Sequence, residues 1–287
     1  MNSLGKTNRF GKANLKDNAA YEVLFSDSHF PFLHPTFTPM KDILARMYFV
    51  YGMLLFAITM LPVALLFWVV RHTCNERKAS ILIQKGFQVW MGMYMPLIFC
   101  PVRHKGREYF KPGKNYVVTL NHNTLADVPV SSPGIPGPNR TLAKVEMSRI
   151  PIFGYIYKSG SILVSRQDAK SRKDSIPQMI EALKHGLHLC LFPEGTRNKT
   201  DQPLARFYDG AFKVAIAAQK PIIPGLIFGT KNILHPTKKM WAWPHKIEMH
   251  FLPEITTEGM QSSDADRLKQ QVFDTMQTYY LAHQDLV

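Results

Sequence analysis

Cysteine is scarce: Cys74, Cys100 and Cys190 are the only three in 287 residues. The count is odd and no two form a CxxC pair. A disulfide scaffold and a zinc ribbon are therefore disfavoured, and a reducing compartment is expected. Four catalytic signatures are also missing. There is no GxSxG elbow, no HExxH, no Walker A loop and no GxGxxG, so hydrolase-type acyl-enzyme, metal, nucleotide and dinucleotide readings have no motif to rest on. Acids are few, with 21 Asp+Glu against 35 Lys+Arg and a formal net charge of +14. That surplus points to nucleic acid, an anionic membrane surface or phosphorylated substrates. What is present excludes disorder: 46% of residues are hydrophobic and 20% charged. The length suits one large domain or two small ones. No short apolar region with a cleavage site opens the chain, so no signal peptide is expected.

Charge is absent altogether from Met47 to Val70, between Arg46 and Arg71. As a helix those residues would run roughly 36 Å, enough to cross a hydrocarbon core of about 30 Å, with a kink expected at Pro62. A second apolar stretch, Gly86 to Val102, contains Pro96 and Pro101 and is marginal for a span. The turn between them carries Arg71, Arg77, Lys78 and Lys85 against Glu76. A spanning helix would leave either this turn or the basic tail on the wrong side by the positive-inside bias. A hairpin dipping into one leaflet satisfies both ends. It is the favoured reading over a single span, and both over a buried core helix. Residues 1–46 read as a polar tail, with Phe30–Leu33 as an apolar docking arm. Residues 47–102 read as a membrane-anchoring hairpin and 103–287 as an α/β domain.

In that last segment β-branched runs alternate with helix-like segments. Strands are expected at 116–120, 162–165, 187–192, 222–228 and 246–251. Helices are expected from Leu125 onward and at 171–185, 211–218 and 264–283, with a turn-rich loop at 131–139. This pattern predicts a mixed, largely parallel sheet flanked by helices.

Two clusters could do chemistry. At the end of the first strand stands Asn121-His122-Asn123-Thr124-Leu125-Ala126-Asp127. If the chain turns between them, Asp127 can accept from one ring nitrogen of His122 and favour the imidazolium formed when the other takes a proton. Taken alone, a His and Asp at this spacing more often cap a loop. The second cluster is Phe192-Pro193-Glu194-Gly195-Thr196-Arg197. Gly195 allows an unusual backbone angle, and Arg197 offers a planar fork suited to phosphate. Glu194 could hold that arginine or bind a substrate hydroxyl. The plain alternative is a strand-end turn with a surface ion pair. A further strand delivers Arg166, and Pro221–Gly225 is an apolar strand entry.

In this order and spacing the four segments resemble the glycerolipid acyltransferases of the 1-acylglycerol-3-phosphate acyltransferase type. Ala143–Glu146, Ile150–Gly154 and Phe207–Lys213 agree with the family's flanking segments, and the resemblance covers about residues 100–255. Departures are small: Thr124 where serine is usual, Ser165 where Asp is frequent, Asn198 where Ser is frequent. The resemblance implies that His122 is the general base and Asp127 its orienting partner. It implies that Arg166 and Arg197 hold the acceptor phosphate, with Glu194, Gly195 and Thr196 shaping that pocket. It implies direct transfer from an acyl-CoA or acyl carrier protein thioester to a lysophospholipid, with no bound cofactor or metal. The expected product is phosphatidic acid; another lysophospholipid or a lyso-aminolipid is the alternative acceptor.

A nucleic-acid-binding protein is the competing reading of the charge. It would need basic residues interleaved with exposed aromatics, and the motifs and the bilayer-length segment argue against it. The charge is also uneven. Residues 103–246 hold 23 basic and 9 acidic residues, whereas 247–287 hold 2 and 7. The surplus sits with the motifs, which fits an active-site face against anionic lipid, on the cytoplasmic side of a membrane, with no nucleic acid partner.

Overall fold

The computed structural model describes residues 37–165, 167–234 and 238–286. The Phe30–Leu33 arm and Arg166 lie outside the described residues. Helix α1 (Phe37–Thr73) starts ahead of the uncharged run and continues through Pro62. Cys74 and Asn75 form the turn. The Asn75 side chain accepts from Lys78 N at 3.0 Å and so caps α2 (Glu76–Leu97), which satisfies one of the helix's orphan donors. The stretch from Met40 to Thr73 is long and apolar enough to cross a membrane.

Seven strands follow: β1 (Val102–Lys105), β2 (Val117–Leu120), β3 (Asn139–Lys144), β4 (Ser161–Val164), β5 (His188–Leu191), β6 (Ile222–Phe228) and β7 (Ile247–Phe251). Between them lie α3 (Val128–Gly134), α4 (Phe153–Ser159), α5 (Ala169–Lys184), α6 (Gly210–Ala217) and α7 (Thr230–Ile233), with α8 (Ala265–Leu281) last. The sheet order is β1-β7-β6-β2-β5-β3-β4. Every neighbouring pair is parallel except β6 and β7. The mixed, largely parallel sheet expected from the sequence is therefore present.

Five strands fall where the β-branched runs placed them. Strands β1 and β3 were not expected, because VRHK and NRTLAK lack a clear apolar pattern. Residues 131–139 were expected to be loop, yet 131–134 complete α3 and Asn139 opens β3. Pro129 sits in the first turn of α3, where a missing N–H costs nothing.

Alternate residues of the central strands enter two different cores. Val118, Leu120, Ile223, Ile227 and Met249 face one core with α1 and α2, including Phe67, Ile83, Trp90 and Met95. Val117, Leu189, Leu191, Ile222 and Leu226 face the other with α5, α6 and α8. The hairpin is thus one layer of a three-layer sandwich. Polar struts lock it there: Gln84 Nε2 donates to Ser132 O at 2.8 Å, and Arg140 donates to Ser80 Oγ at 3.0 Å.

On α1 the inward residues 45, 48, 52, 55, 56, 59, 63, 67 and 70 recur at helical spacing, and the outward ones are equally apolar. Met47, Leu54, Ile58, Leu61 and Leu65 are each more than half exposed. A helix that is apolar on both its packed and its open face is suited to lipid on the open one.

Candidate active site

The site lies at the C-terminal ends of β6, β2 and β5, three adjacent parallel strands. In open α/β sheets this edge collects ligand-binding loops. Strand β2 leads into Asn121, whose amide bonds the backbone of Ile227 in both directions: Nδ2 to Ile227 O at 3.1 Å, and Ile227 N to Oδ1 at 2.7 Å. Asn123 Nδ2 also donates to Ile227 O, at 3.1 Å. The loop carrying His122 is therefore stitched to β6 on both sides of the histidine.

The chain then turns tightly. Thr124 caps a 3₁₀ turn, Leu125–Asp127, accepting from Ala126 N at 3.1 Å. Asp127 reaches back, and its Oδ2 accepts from Asn123 N at 2.6 Å and Thr124 N at 2.8 Å. The same oxygen lies 2.8 Å from His122 Nδ1. A carboxylate oxygen accepts from a ring N–H, so Nδ1 is the nitrogen committed to Asp127 and Nε2 is the one left for a substrate. Nε2 has no hydrogen-bond partner among the described residues. Asp127 is fully buried and His122 nearly so. The turn that a general-base reading required is thus present.

The second cluster clasps the first. Phe192 stacks on the imidazole, with ring centroids 4.3 Å apart and planes inclined by 26°. Glu194 Oε1 accepts from His122 N at 2.7 Å and Oε2 from Ala205 N at 2.9 Å. Asn198 N donates to His122 O at 2.6 Å. Both backbone polar groups of His122 are therefore held by the Phe192–Asn198 loop. The sequence offered Glu194 as a clamp on Arg197 or as part of the phosphate pocket. Instead its side chain is 1% exposed and both oxygens serve backbone amides. Burial is the main cause that raises the Glu194 carboxyl to about 7; the nearby charge of Asp127 adds to it, while the two amides and Lys231 oppose it.

Gly195 adopts φ 65°, and a Cβ there would lie 2.9 Å from the Tyr208 ring. This left-handed turn brings Thr196 and Arg197 to the surface, where both are exposed. Among the described residues Arg197 has no ion-pair partner, which leaves its guanidinium available to an anion. Asn198 stands where Ser is frequent in the family that the chain resembles. It is buried, and it organises the next turn by accepting from Thr200 N at 2.9 Å and donating to Gln202 O at 2.9 Å. Its place inside the motif was the only signal in the sequence. Among the described residues no group of three His, Cys, Asp or Glu side chains is placed to hold a metal ion.

The site thus combines a buried carboxylate against one ring nitrogen of a histidine with a surface arginine that has no ion-pair partner among the described residues, at the C-terminal edge of an α/β sheet. Residues 101–227 match the family model described as Acyltransferase. It is 27% identical over 257 residues to human 1-acyl-sn-glycerol-3-phosphate acyltransferase alpha, covering 87% of this chain and 86% of the human protein. The mouse protein of the same name is 29% identical over 183 residues, which span 62% of this chain and 63% of the mouse protein. Among solved structures, the 1-acyl-sn-glycerophosphate (LPA) acyltransferase PlsC from Thermotoga maritima superposes with a TM-score of 0.70 at 20% identity, covering 86% of this chain and 97% of that one. At that identity the likeness concerns the fold.

Proposed function

We propose that this protein transfers a fatty acyl group from a thioester to the free hydroxyl of 1-acylglycerol-3-phosphate. The observation that carries this reading is the His122–Asp127 contact, with Nε2 left without a partner among the described residues and the loop that carries Arg197 bonded to the His122 backbone. Relatives named for that reaction support the choice of acceptor.

In the proposed reaction His122 Nε2 takes the proton of the acceptor hydroxyl as the oxygen attacks the thioester carbonyl. Asp127 stabilises the imidazolium that forms. The C–O bond closes, the C–S bond breaks, and the departing thiolate takes the proton from His122 to leave as a thiol. Arg197 binds the acceptor phosphate, and Arg166 is proposed to join it. Gly195 and Thr196 set the turn that presents Arg197. No cofactor is needed; the donor, an acyl-CoA or acyl carrier protein thioester, is a co-substrate.

We read the membrane contact as monotopic, with the catalytic domain on the cytoplasmic face. Three contacts along α1 support this. Ala45 O accepts from Ala242 N at 3.3 Å, Phe56 packs on Phe153 with centroids 6.2 Å apart, and Arg71 donates to Ser159 O at 3.4 Å. From Ala45 to Arg71 the helix is about 39 Å long and carries the α/β domain on its inner side throughout, so only its outer face is free for lipid.

The test is a transfer assay on the membrane-bound protein, offering lysophosphatidic acid, other lysophospholipids and a lyso-aminolipid with each donor class. Preferential acylation of lysophosphatidic acid supports the reading. Preference for a different head group would move the assignment to that acceptor, and absence of transfer to every acceptor would overturn it.

A further inference from the structure

Outside the α1–α2 hairpin, a short turn also exposes consecutive apolar side chains. Between β3 and α4 the chain runs Arg149-Ile150-Pro151-Ile152, and all four residues are exposed. Ile150 and Ile152 are each 44% exposed. Phe153 N donates to Pro151 O at 2.6 Å across Ile152, which has φ 60° and ψ −57°. This is a three-residue γ-turn of the rare positive-φ kind, on a β-branched residue.

The turn is nonetheless built firmly. Gly154 N donates to Ile150 O at 2.7 Å and Tyr155 N to Ile152 O at 3.0 Å. A Cβ on Gly154 would lie 2.2 Å from Ser148 O, so only glycine permits this close return of the backbone. A rigid turn that holds two isoleucines outward calls for an apolar neighbour.

Its location names that neighbour. Phe153, the next residue, packs on Phe56 of α1, and the outward residue one turn earlier on α1, Met53, is 53% exposed. The turn is thus seated directly beside α1. It also sits on the functional edge of the sheet, because β3 neighbours β5 and runs parallel to it. Arg149, exposed at the base of the turn, is positioned for a lipid phosphate while the isoleucines enter the acyl region.

We infer that the Ile150–Ile152 turn is a second lipid-contacting element, inserting into the same leaflet as α1 and fixing the active-site edge against the membrane. This rests on the membrane reading of α1 given above. Through this contact the mouth of the site is held where an acceptor embedded in the leaflet can reach it.

The experiment uses the full chain in vesicles of phosphatidylcholine and phosphatidylglycerol, in a Cys74→Ser background. Single cysteines at Ile152, at Ile58 on the outer face of α1 and at Lys184 on α5 each receive a nitroxide. Collision with oxygen is compared with collision with a water-soluble nickel complex. The inference expects Ile152→Cys and Ile58→Cys to show an oxygen-to-nickel ratio several-fold above that of Lys184→Cys. A ratio at position 152 equal to that at 184, with 58 in lipid, overturns the inference and leaves the reading of α1 standing. If 58 and 152 both match 184, the membrane reading of α1 fails and this inference fails with it. In a second arm, Ile152→Ser loses several-fold activity on vesicle-embedded acceptor and keeps it on acceptor in detergent micelles. Equal activity in both formats would also overturn the inference.

Discussion

Glu194 and His122 meet through the backbone: a carboxylate oxygen of one accepts the main-chain N–H of the other at 2.7 Å. The two most distinctive motifs of the chain are therefore bonded to each other before any substrate arrives. The second motif fixes the first by its buried acid and presents an arginine by its exposed end. In the proposed reaction one loop would both position the base and capture the anion.

That bond makes Glu194 a positioning residue with a pH signature. Its carboxyl is raised from 4.5 to about 7 in the folded protein, chiefly by burial. Between those values the folded state holds the extra proton, so stability declines as pH rises from about 4.5 to about 7, by roughly 3 kcal/mol in total. Glu194→Gln cannot ionise and should flatten this slope. Urea unfolding at several pH values in that window checks it; parallel slopes for the two proteins would refute the assignment.

Removing the base should abolish chemistry while sparing the fold. His122→Ala is expected to lower kcat by roughly 10²–10⁴-fold, the usual contribution of a general base. Asp127→Asn should cost about as much, because an amide can turn its N–H₂ toward Nδ1 and select the wrong tautomer. Asp127→Ala should in addition destabilise, since Oδ2 also holds Asn123 N and Thr124 N; a loss of about 1–2 kcal/mol fits a lost cap. Steady-state kinetics and thermal unfolding separate the two effects.

Arg197 is expected to act on binding. It is exposed and has no ion pair among the described residues, so Arg197→Ala should leave the melting temperature unchanged. It should raise KM for a phosphorylated acceptor by roughly 10- to 100-fold, the equivalent of one charge-assisted contact. Arg197→Lys should recover only part of this, lacking the planar fork. An unchanged KM in the alanine variant would remove the phosphate role.

Gly195→Ala combines a left-handed backbone with a Cβ 2.9 Å from the Tyr208 ring. A loss of about 1–2 kcal/mol is expected, read as a lower unfolding midpoint, together with impaired turnover as the turn shifts under His122.

Membrane release must be tested on the outer face of α1. Truncating the hairpin would uncover Val118, Ile223 and Met249, which share a core with it, and unfold the sheet. Leu54→Glu with Ile58→Glu, on the exposed side, should instead shift the folded protein from the membrane fraction to the soluble fraction in a flotation assay.

Much was legible in the sequence because it rests on local chemistry. The uncharged run gives α1, the β-branched runs give the central strands, and the two motifs mark the site. Residues such as those of β3 were not legible: Asn139–Lys144 pairs with β5 and β4 through backbone groups, which composition does not record. The loop reading of 131–134 failed for a related reason, as α3 is held against α2 by Gln84 and Ser132 rather than by its own weak propensity.

The sequence by itself therefore determined the long apolar helix, the five β-branched strands, the basic surplus and the chemical inventory of His122, Asp127 and Arg197. Only the tertiary structure decided that Glu194 faces inward to backbone amides, that Asn198 completes the clasp, and that the apolar hairpin is a layer of the enzyme rather than a detachable anchor. The physical reason is that these facts depend on which buried polar group meets which partner and on which face of an all-apolar helix is covered. Both are settled by contacts between segments far apart in the chain, and a pattern of residue types along it carries no record of them.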